Sequence, residues 1–319
     1  MTAPRRATVR ALAKINLNLQ VLYKRPDGFH ELRSIFQTIS LADTIGIEFA
    51  PARKTEIAIG GNIDIPDNLI VRAARAAMDT MRVTGRVSFR LVKRIPMGAG
   101  LGGGSSDAAA VLLALPVLAG KRIPVEKLIA LATELGSDVP FFLLGGRAVA
   151  MGRGAELYPL PDKAGGSALL ITPDIHVSTA EAYRALGLAL TLEVPQNKID
   201  SFECSAWRAS EGLLAPGEND FESVVFERYP QLKSLKRRLL KAGAAPAMMT
   251  GSGSALFGVF RSRAEVERAR PFFREEKSFL VSLVSRSRYR SGWWRQLQAH
   301  VNNRIWPPQS RYARWISTE

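Results

Sequence analysis

Pro96-Met97-Gly98-Ala99-Gly100-Leu101-Gly102-Gly103-Gly104-Ser105-Ser106-Asp107-Ala108-Ala109 is the stretch on which the reading of this chain turns. Five glycines, Gly98, Gly100, Gly102, Gly103 and Gly104, fall within seven residues. Without a Cβ, such a loop reaches backbone angles closed to other residues and brings its N–H groups close to a ligand. Ser105, Ser106 and Asp107 then precede an apolar run from Ala108 to Leu118, which predicts a helix capped by one of those polar side chains. A glycine loop feeding a helix N-terminus favours anions, through free N–H groups and the helix dipole together. The ligand expected here is a phosphate chain.

Two better-known phosphate patterns fit poorly. A Walker loop requires a lysine after the glycines, and none stands there. The dinucleotide spacing G-x-G-x-x-G is met at Gly98, Gly100 and Gly103, after a strand-like run from Val87 to Val92. That fold also needs a second strand ending in an acid about 20 residues on. Lys121-Arg122-Ile123-Pro124 occupies that place instead.

The string resembles the phosphate-binding motif of the GHMP kinases, the family of galactokinase and of homoserine, mevalonate and phosphomevalonate kinases. Three other stretches carry the resemblance. From Lys14 to Val21 the chain alternates strictly, with Ile15, Leu17, Leu19 and Val21 on one face and Lys14, Asn16, Asn18 and Gln20 on the other. Asparagine is depleted in strands, so this polar row reads as the lining of a cleft as well as a solvated sheet face. Gly136-Ser137-Asp138-Val139-Pro140 presses a carboxylate against an apolar run, where it needs a partner. Thr250-Gly251-Ser252-Gly253-Ser254 sits between two strand-like runs. Alone it reads as a hairpin turn.

The resemblance implies roles for these residues. Lys14 and Asp138 would be catalytic. Asn68, Lys93, Pro96, Met97, Gly98, Ala99, Gly100, Leu101, Gly102, Gly103, Gly104, Ser105 and Ser106 would bind ATP, and Gly251, Ser252 and Gly253 would back the glycine loop. Arg25-Pro26-Asp27-Gly28-Phe29-His30 is a turn by its chemistry. It is also similar to the string of the family branch whose acceptor carries cytidine diphosphate. By that likeness Phe29 and His30, with Asn16 from the matching lysine-strand motif and Tyr183 by its position, would contact a small-molecule, cytidine diphosphate-linked substrate. The reaction implied is ATP-dependent phosphorylation of its alcohol in isoprenoid precursor synthesis, with Mg²⁺ accompanying ATP and no cluster of acids to mark the metal's protein ligands. Two other readings stay open: a homoserine- or mevalonate-type kinase, and a basic module binding RNA without catalysis.

The fold implied is α+β in two lobes: residues 1–165 as an ATP-binding lobe like domain 2 of ribosomal protein S5, and residues 166–285 as a ferredoxin-like lobe. Strands are expected at Ser34–Ile39, Thr44–Phe49, Thr55–Ile59, Gly145–Met151, Leu169–Thr172 and Phe279–Val284. Helices are expected from Asp67 or Asn68 to Met81, from Pro124 to Leu135, from the Ser178-Thr179-Ala180-Glu181 capping box, from Asn219, from Tyr229 to Ala242 and from Ala264 to Phe273. Pro116 should end or bend the helix after the glycine loop near Ala114. Residues 191–218 read as an irregular, mobile connection.

Composition sets the remaining bounds. A chain of 319 residues with 46% hydrophobic content supports a packed interior. No apolar run of transmembrane length occurs, and Met1 to Arg6 lead into a strand with no secretory h-region. The single cysteine, Cys204, fits a reducing compartment and a cytoplasmic protein. The net charge is +15. Residues 286–319 contribute seven arginines against one acid and hold four of the five tryptophans. Arginine beside aromatics marks nucleic-acid or membrane-surface patches, and equally a tail packed loosely on the body or disordered.

Overall fold

The Lys14–Val21 alternation belongs to a strand longer than the pattern required: β1 (Arg5–Lys24) turns through Pro26-Asp27-Gly28 and returns as β2 (His30–Pro51). The computed structural model describes residues 3–161, 166–187, 196–211 and 217–301. Gly28 takes φ +83°, which closes the turn. The two strands expected at Ser34–Ile39 and Thr44–Phe49 are one. Asp43, between them, does not break the chain, because its buried carboxylate accepts the backbone N–H groups of Arg94 and Ile95 at 2.5 and 2.8 Å.

The first lobe continues with β3 (Glu56–Gly61), α1 (Leu69–Met81), β4 (Gly85–Val92), α2 (Gly103–Ala119), α3 (Val125–Leu135), α4 (Val139–Leu144), β5 (Arg147–Gly152) and β6 (Glu156–Pro159). The strand order is β3-β4-β2-β5-β6, and β1 lies along the other edge of β2. Apolar residues of the sheet, among them Val9, Ile45, Phe49 and Phe89, pack on the helices.

Helix α2 departs from expectation at both ends. It starts at Gly103, so Ser105, Ser106 and Asp107 lie inside its first turns and none is the cap; Gly102 holds that position with φ +68°. It also runs through Pro116 to Ala119. Proline removes one hydrogen bond at a cost of about 3 kcal/mol. Residues Ser106 to Leu118 are all buried, and burial of four leucines at ~1.5–3 kcal/mol each outweighs that cost.

The second lobe contains β7 (Ser167–Ile171), α5 (Thr179–Gly187), α6 (Gln196–Ser210), α7 (Phe221–Arg228), α8 (Pro230–Lys241), β8 (Ala247–Met249), β9 (Leu256–Phe260), α9 (Arg263–Ala269) and β10 (Ser278–Ser282). Its sheet, β10-β7-β9-β8, is antiparallel throughout. One face carries α5, α7, α8 and α9; the other packs Ala168, Leu170, Phe257 and Val259 against Ile15, Leu17, Ile35 and Ile39 of the first lobe. Helix α6 replaces part of the irregular connection expected over 191–218. Its buried Phe202, Ser205 and Ala209 keep helical spacing, but polar neighbours obscure it. Residues 191–195 and 212–216 lie outside the described residues.

After β10 the chain returns to the first lobe as α10 (Arg286–Leu297). The first part of the expected tail is therefore neither loose nor disordered: Tyr289, Trp293 and Leu297 are buried in the first lobe's core. The Tyr289 hydroxyl donates to the Phe142 carbonyl at 2.5 Å. Trp306, Tyr312 and Trp315 lie outside the described residues. Trp293→Ala is expected to lower unfolding free energy by about 3–5 kcal/mol, read by denaturant titration. A loss below about 1 kcal/mol would mean that α10 is not part of the core. Among the described residues, no helix is long and apolar enough to cross a membrane.

Candidate active site

The outer edge of β1 is where the two lobes meet the glycine loop. Pairing with β2 shifts register between Leu12 and Lys14 and again between Asn16 and Asn18. Such irregularities release backbone groups and re-aim side chains. The Lys14 N–H bonds the Leu101 carbonyl at 3.0 Å, and the Asn16 N–H bonds the Thr250 hydroxyl at 3.1 Å. One strand thus holds both glycine-bearing loops. Gly100 and Gly251 pack face to face. A Cβ on Gly100 would stand 2.2 Å from the Thr250 carbonyl oxygen, and Gly100 itself has φ +77°.

Two cavities meet at this loop. The first, about 360 Å³, is lined by Asn68, Lys93 and every residue from Pro96 to Ser105. The second, about 210 Å³, is lined by Lys14, Asn16, Asp138, Tyr183, Gly251 and Ser252, among others. Gly100 and Gly102 border both. Gly253 lies outside the second cavity, against the Met249 sulfur. Ser106, expected to bind ATP, is placed otherwise. It is buried, its hydroxyl donates to the Leu12 carbonyl at 2.7 Å and its N–H to the Gly102 carbonyl at 2.9 Å. Both donors are taken, because α2 begins before Ser106 and turns that residue toward β1. Asn68 caps α1 by accepting from the Ile70 N–H at 3.0 Å and also borders the first cavity.

Lys14 and Asp138 stand together at the junction. Their charged atoms are 3.4 Å apart, with the lysine side chain almost fully buried and the carboxylate about one-third exposed. The Lys14 ammonium also donates to Asn16 Oδ1 at 2.9 Å and lies 5.1 Å from the centre of the Phe36 ring. Asp138 precedes α4 and makes no capping bond through its side chain. That leaves its carboxylate facing the cavity. Asn16 is positioned rather than free: Oδ1 also accepts from the Thr250 hydroxyl at 3.0 Å and the Gly251 N–H at 2.9 Å, and Nδ2 donates to Ser34 at 2.8 Å.

At the rim of the second cavity His30 stacks on Tyr183, ring centres 4.8 Å apart. Burial, aided by Lys24, holds the His30 imidazole below its ordinary value. Burial first, and the Asp138 carboxylate second, push the Tyr183 phenol up to about 12. Phe29 is half exposed, 3.6 Å from the Arg153 guanidinium. Neither Phe29 nor His30 lines the cavity itself; both stand outside it, beside Tyr183 and Arg153.

Some contributing residues have roles that the sequence did not give them. Asn219, read as part of a helix start, donates through Nδ2 to the carbonyls of Met249 and Gly251 at 2.8 and 2.9 Å and fixes the second glycine turn. Lys93 is expected beside the nucleotide, and it does border the first cavity. Its ammonium is nonetheless engaged by Asp43 and Asp107, at 2.5 and 2.7 Å. Two buried carboxylates share one ammonium, and burial pushes Asp107 up to about 7 despite the opposing lysine. This cluster ties β2, the end of β4 and α2 together beneath the loop.

The family model described as GHMP kinases N terminal domain matches residues 68–146, and that described as GHMP kinases C terminal matches residues 208–277. A 4-diphosphocytidyl-2-C-methyl-D-erythritol kinase of Solibacter usitatus is 59% identical over 316 residues, covering 98% of this chain and 99% of that protein. A crystal structure of 4-(cytidine 5'-diphospho)-2C-methyl-D-erythritol kinase superposes with a TM-score of 0.73 at 37% identity, over 86% of this chain and 98% of its own. Homoserine kinase from Cytophaga hutchinsonii superposes at 0.68 with 19% identity, over 90% of this chain and 97% of its own, which is a likeness of fold alone. The site and the two-lobed fold are those of an ATP-dependent small-molecule kinase of the GHMP class. Within that class the chain belongs to the 4-diphosphocytidyl-2-C-methyl-D-erythritol kinases.

Proposed function

We propose that this chain transfers the γ-phosphoryl group of ATP to the 2-hydroxyl of 4-diphosphocytidyl-2-C-methyl-D-erythritol, in the cytoplasm, where the free thiol of Cys204 stays reduced. The observation that carries the reading is the pair of cavities meeting at Gly100 and Gly102, with Lys14 and Asp138 at the junction. ATP occupies the first cavity, with its phosphates against the backbone N–H groups of the loop and the start of α2. The acceptor occupies the second, its cytosine reaching past the rim to the side of the His30–Tyr183 stack and Phe29.

Phosphoryl transfer depends mostly on positioning and on charge. Asp138 orients the attacking hydroxyl and takes its proton. Lys14, held by Asn16, offsets the charge of Asp138 and of the moving phosphoryl oxygens. The residues fit a Mg²⁺ that arrives on the nucleotide. Among the described residues no cluster of three acids, histidines or cysteines forms a cage, while Ser105 offers a hydroxyl at the cradle. Mg²⁺ commonly takes most of its ligands from phosphates and water. Bound there, it would neutralise charge on the phosphate oxygens.

The test is ATP turnover followed by ADP release, with the cytidyl compound, homoserine and mevalonate each offered as acceptor. Turnover with the first alone is expected; turnover with either other acceptor and none with the first would overturn the substrate. His30→Ala is expected to raise KM for the cytidyl substrate about 10-fold, equal to one lost hydrogen bond or stack, with kcat nearly unchanged. A fall in kcat at constant KM would place His30 outside the base site.

A further inference from the structure

A third cavity, about 470 Å³, shares no lining residue with the two at the kinase junction and lies between the first half of β1, β2 and α10. Among the described residues three arginines line it: Arg10 from β1 and Arg288 and Arg295 from α10. No Asp or Glu is among the described residues that line it. Ser40 and Gln296 add polar groups, and the Arg10 guanidinium is steadied by one bond to the Ser40 carbonyl at 3.1 Å. Arg288 and Arg295 are two helical turns apart on one face of α10, so both side chains reach the same opening.

Gly292 lies between them and also lines the cavity. Glycine inside a helix is destabilising relative to alanine. Its φ is not positive, and an added Cβ would meet only the Gln296 amide at 3.7 Å, an ordinary contact. Nothing in the protein's own packing therefore requires glycine at this position. What its missing side chain provides is room on the cavity floor. The wall is rigid, because the same helix is anchored by Tyr289 and Trp293 in the core.

Arginine forks match phosphate oxygens in paired hydrogen bonds, and a cleft lined by one sign of charge concentrates the opposite ion. We propose that this cleft is a second ligand site, separate from the phosphoryl-transfer site, which takes a small molecule bearing two linked phosphate groups. The ligand sits over Gly292 with Arg10, Arg288 and Arg295 around it.

The probe is inorganic pyrophosphate, titrated calorimetrically into the full chain after the nucleotide cradle has been filled with a non-hydrolysable ATP analogue. One equivalent is expected to bind. Arg288→Glu combined with Arg295→Glu should weaken it at least 10-fold. Gly292→Leu keeps every charge but fills the floor, and should weaken it by a similar factor. Thermal melts and turnover with the kinase substrates, expected near wild type in both variants, check folding. No binding once the cradle is filled would overturn the site. So would binding that Gly292→Leu leaves unchanged, since attraction to a basic surface does not depend on the floor.

Discussion

Asp138→Asn is expected to lower kcat by about 10³-fold, within the 10²–10⁴ that a positioned general base supplies, and to leave KM for ATP nearly unchanged. Asparagine keeps the volume and the place before α4 but removes both the charge and the proton acceptor. The carboxylate stands 3.4 Å from the Lys14 ammonium and faces the second cavity. No other carboxylate is among the described residues that line that cavity, so none can take over. Lys14→Met should cost a comparable factor. Its ammonium is nearly buried, and losing it leaves Asp138 and the Asn16 oxygen without their shared partner. Because the two residues act as a unit, the double variant should lose little more than either single one, far less than the product of the two losses. Steady-state ADP release measures all three. A kcat for Asp138→Asn within tenfold of wild type would remove it from the role of base, and strict multiplication of the two losses would separate Lys14 from it.

Gly100→Ala is expected to lower kcat/KM for ATP by 100-fold or more, which corresponds to about 2.7 kcal/mol of lost transition-state stabilisation. Two independent strains arise from one methyl group. At φ +77° an L side chain crowds its own carbonyl, at roughly 1–2 kcal/mol. The new Cβ would also lie 2.2 Å from the Thr250 carbonyl oxygen, a backbone atom that no rotamer change can move. Either the glycine loop or the Thr250 turn must shift. A shift of the loop pulls at the bond between Leu101 and Lys14, and a shift of the turn disturbs the Thr250 and Gly251 contacts to Asn16. Nucleotide cradle and catalytic lysine should therefore suffer together. Wild-type KM for ATP in this variant would mean that the two glycine loops are not in contact in the working enzyme.

Local patterns carried much of this protein. The Pro-Asp-Gly turn lies where its pattern put it, and Lys14 to Val21 is strand as its alternation implied. The two faces are not kept, however: the register shifts between Asn16 and Asn18, and Leu19 lines the same cavity as Lys14 and Asn16. The helix signals at Asn68 and Ser178 were likewise legible, since caps act within one turn: Asn68 accepts from Ile70 and Ser178 from Glu181. The roles of the chemistry-bearing residues came from the resemblance of several short strings, scattered from Lys14 to Gly253, to the motifs of the GHMP kinases. Tertiary contacts decided the rest. Pro116 stays helical because the helix around it is buried, and burial outweighs one missing hydrogen bond. Ser106 faces β1 because the helix begins at Gly103, a start that the free N–H groups of the glycine loop do not reveal. Asp43 lies within a continuous strand because two backbone N–H groups, 51 and 52 residues further on, occupy its carboxylate.

What the sequence by itself determined is the inventory: a phosphate cradle, a lysine-bearing strand, an acid beside an apolar run and a second glycine turn. Each is written in a stretch of fewer than about fifteen residues, the range over which backbone preference and side-chain periodicity act. The tertiary structure is what brings Lys14 and Asp138, far apart in the chain, to 3.4 Å of one another. It alone placed α10 in the first lobe's core and opened an arginine-lined cleft behind it. The physical reason is the same in each case. These pairings are set by which apolar surfaces bury one another, and such long-range matching leaves no periodic trace in the residues that it brings together.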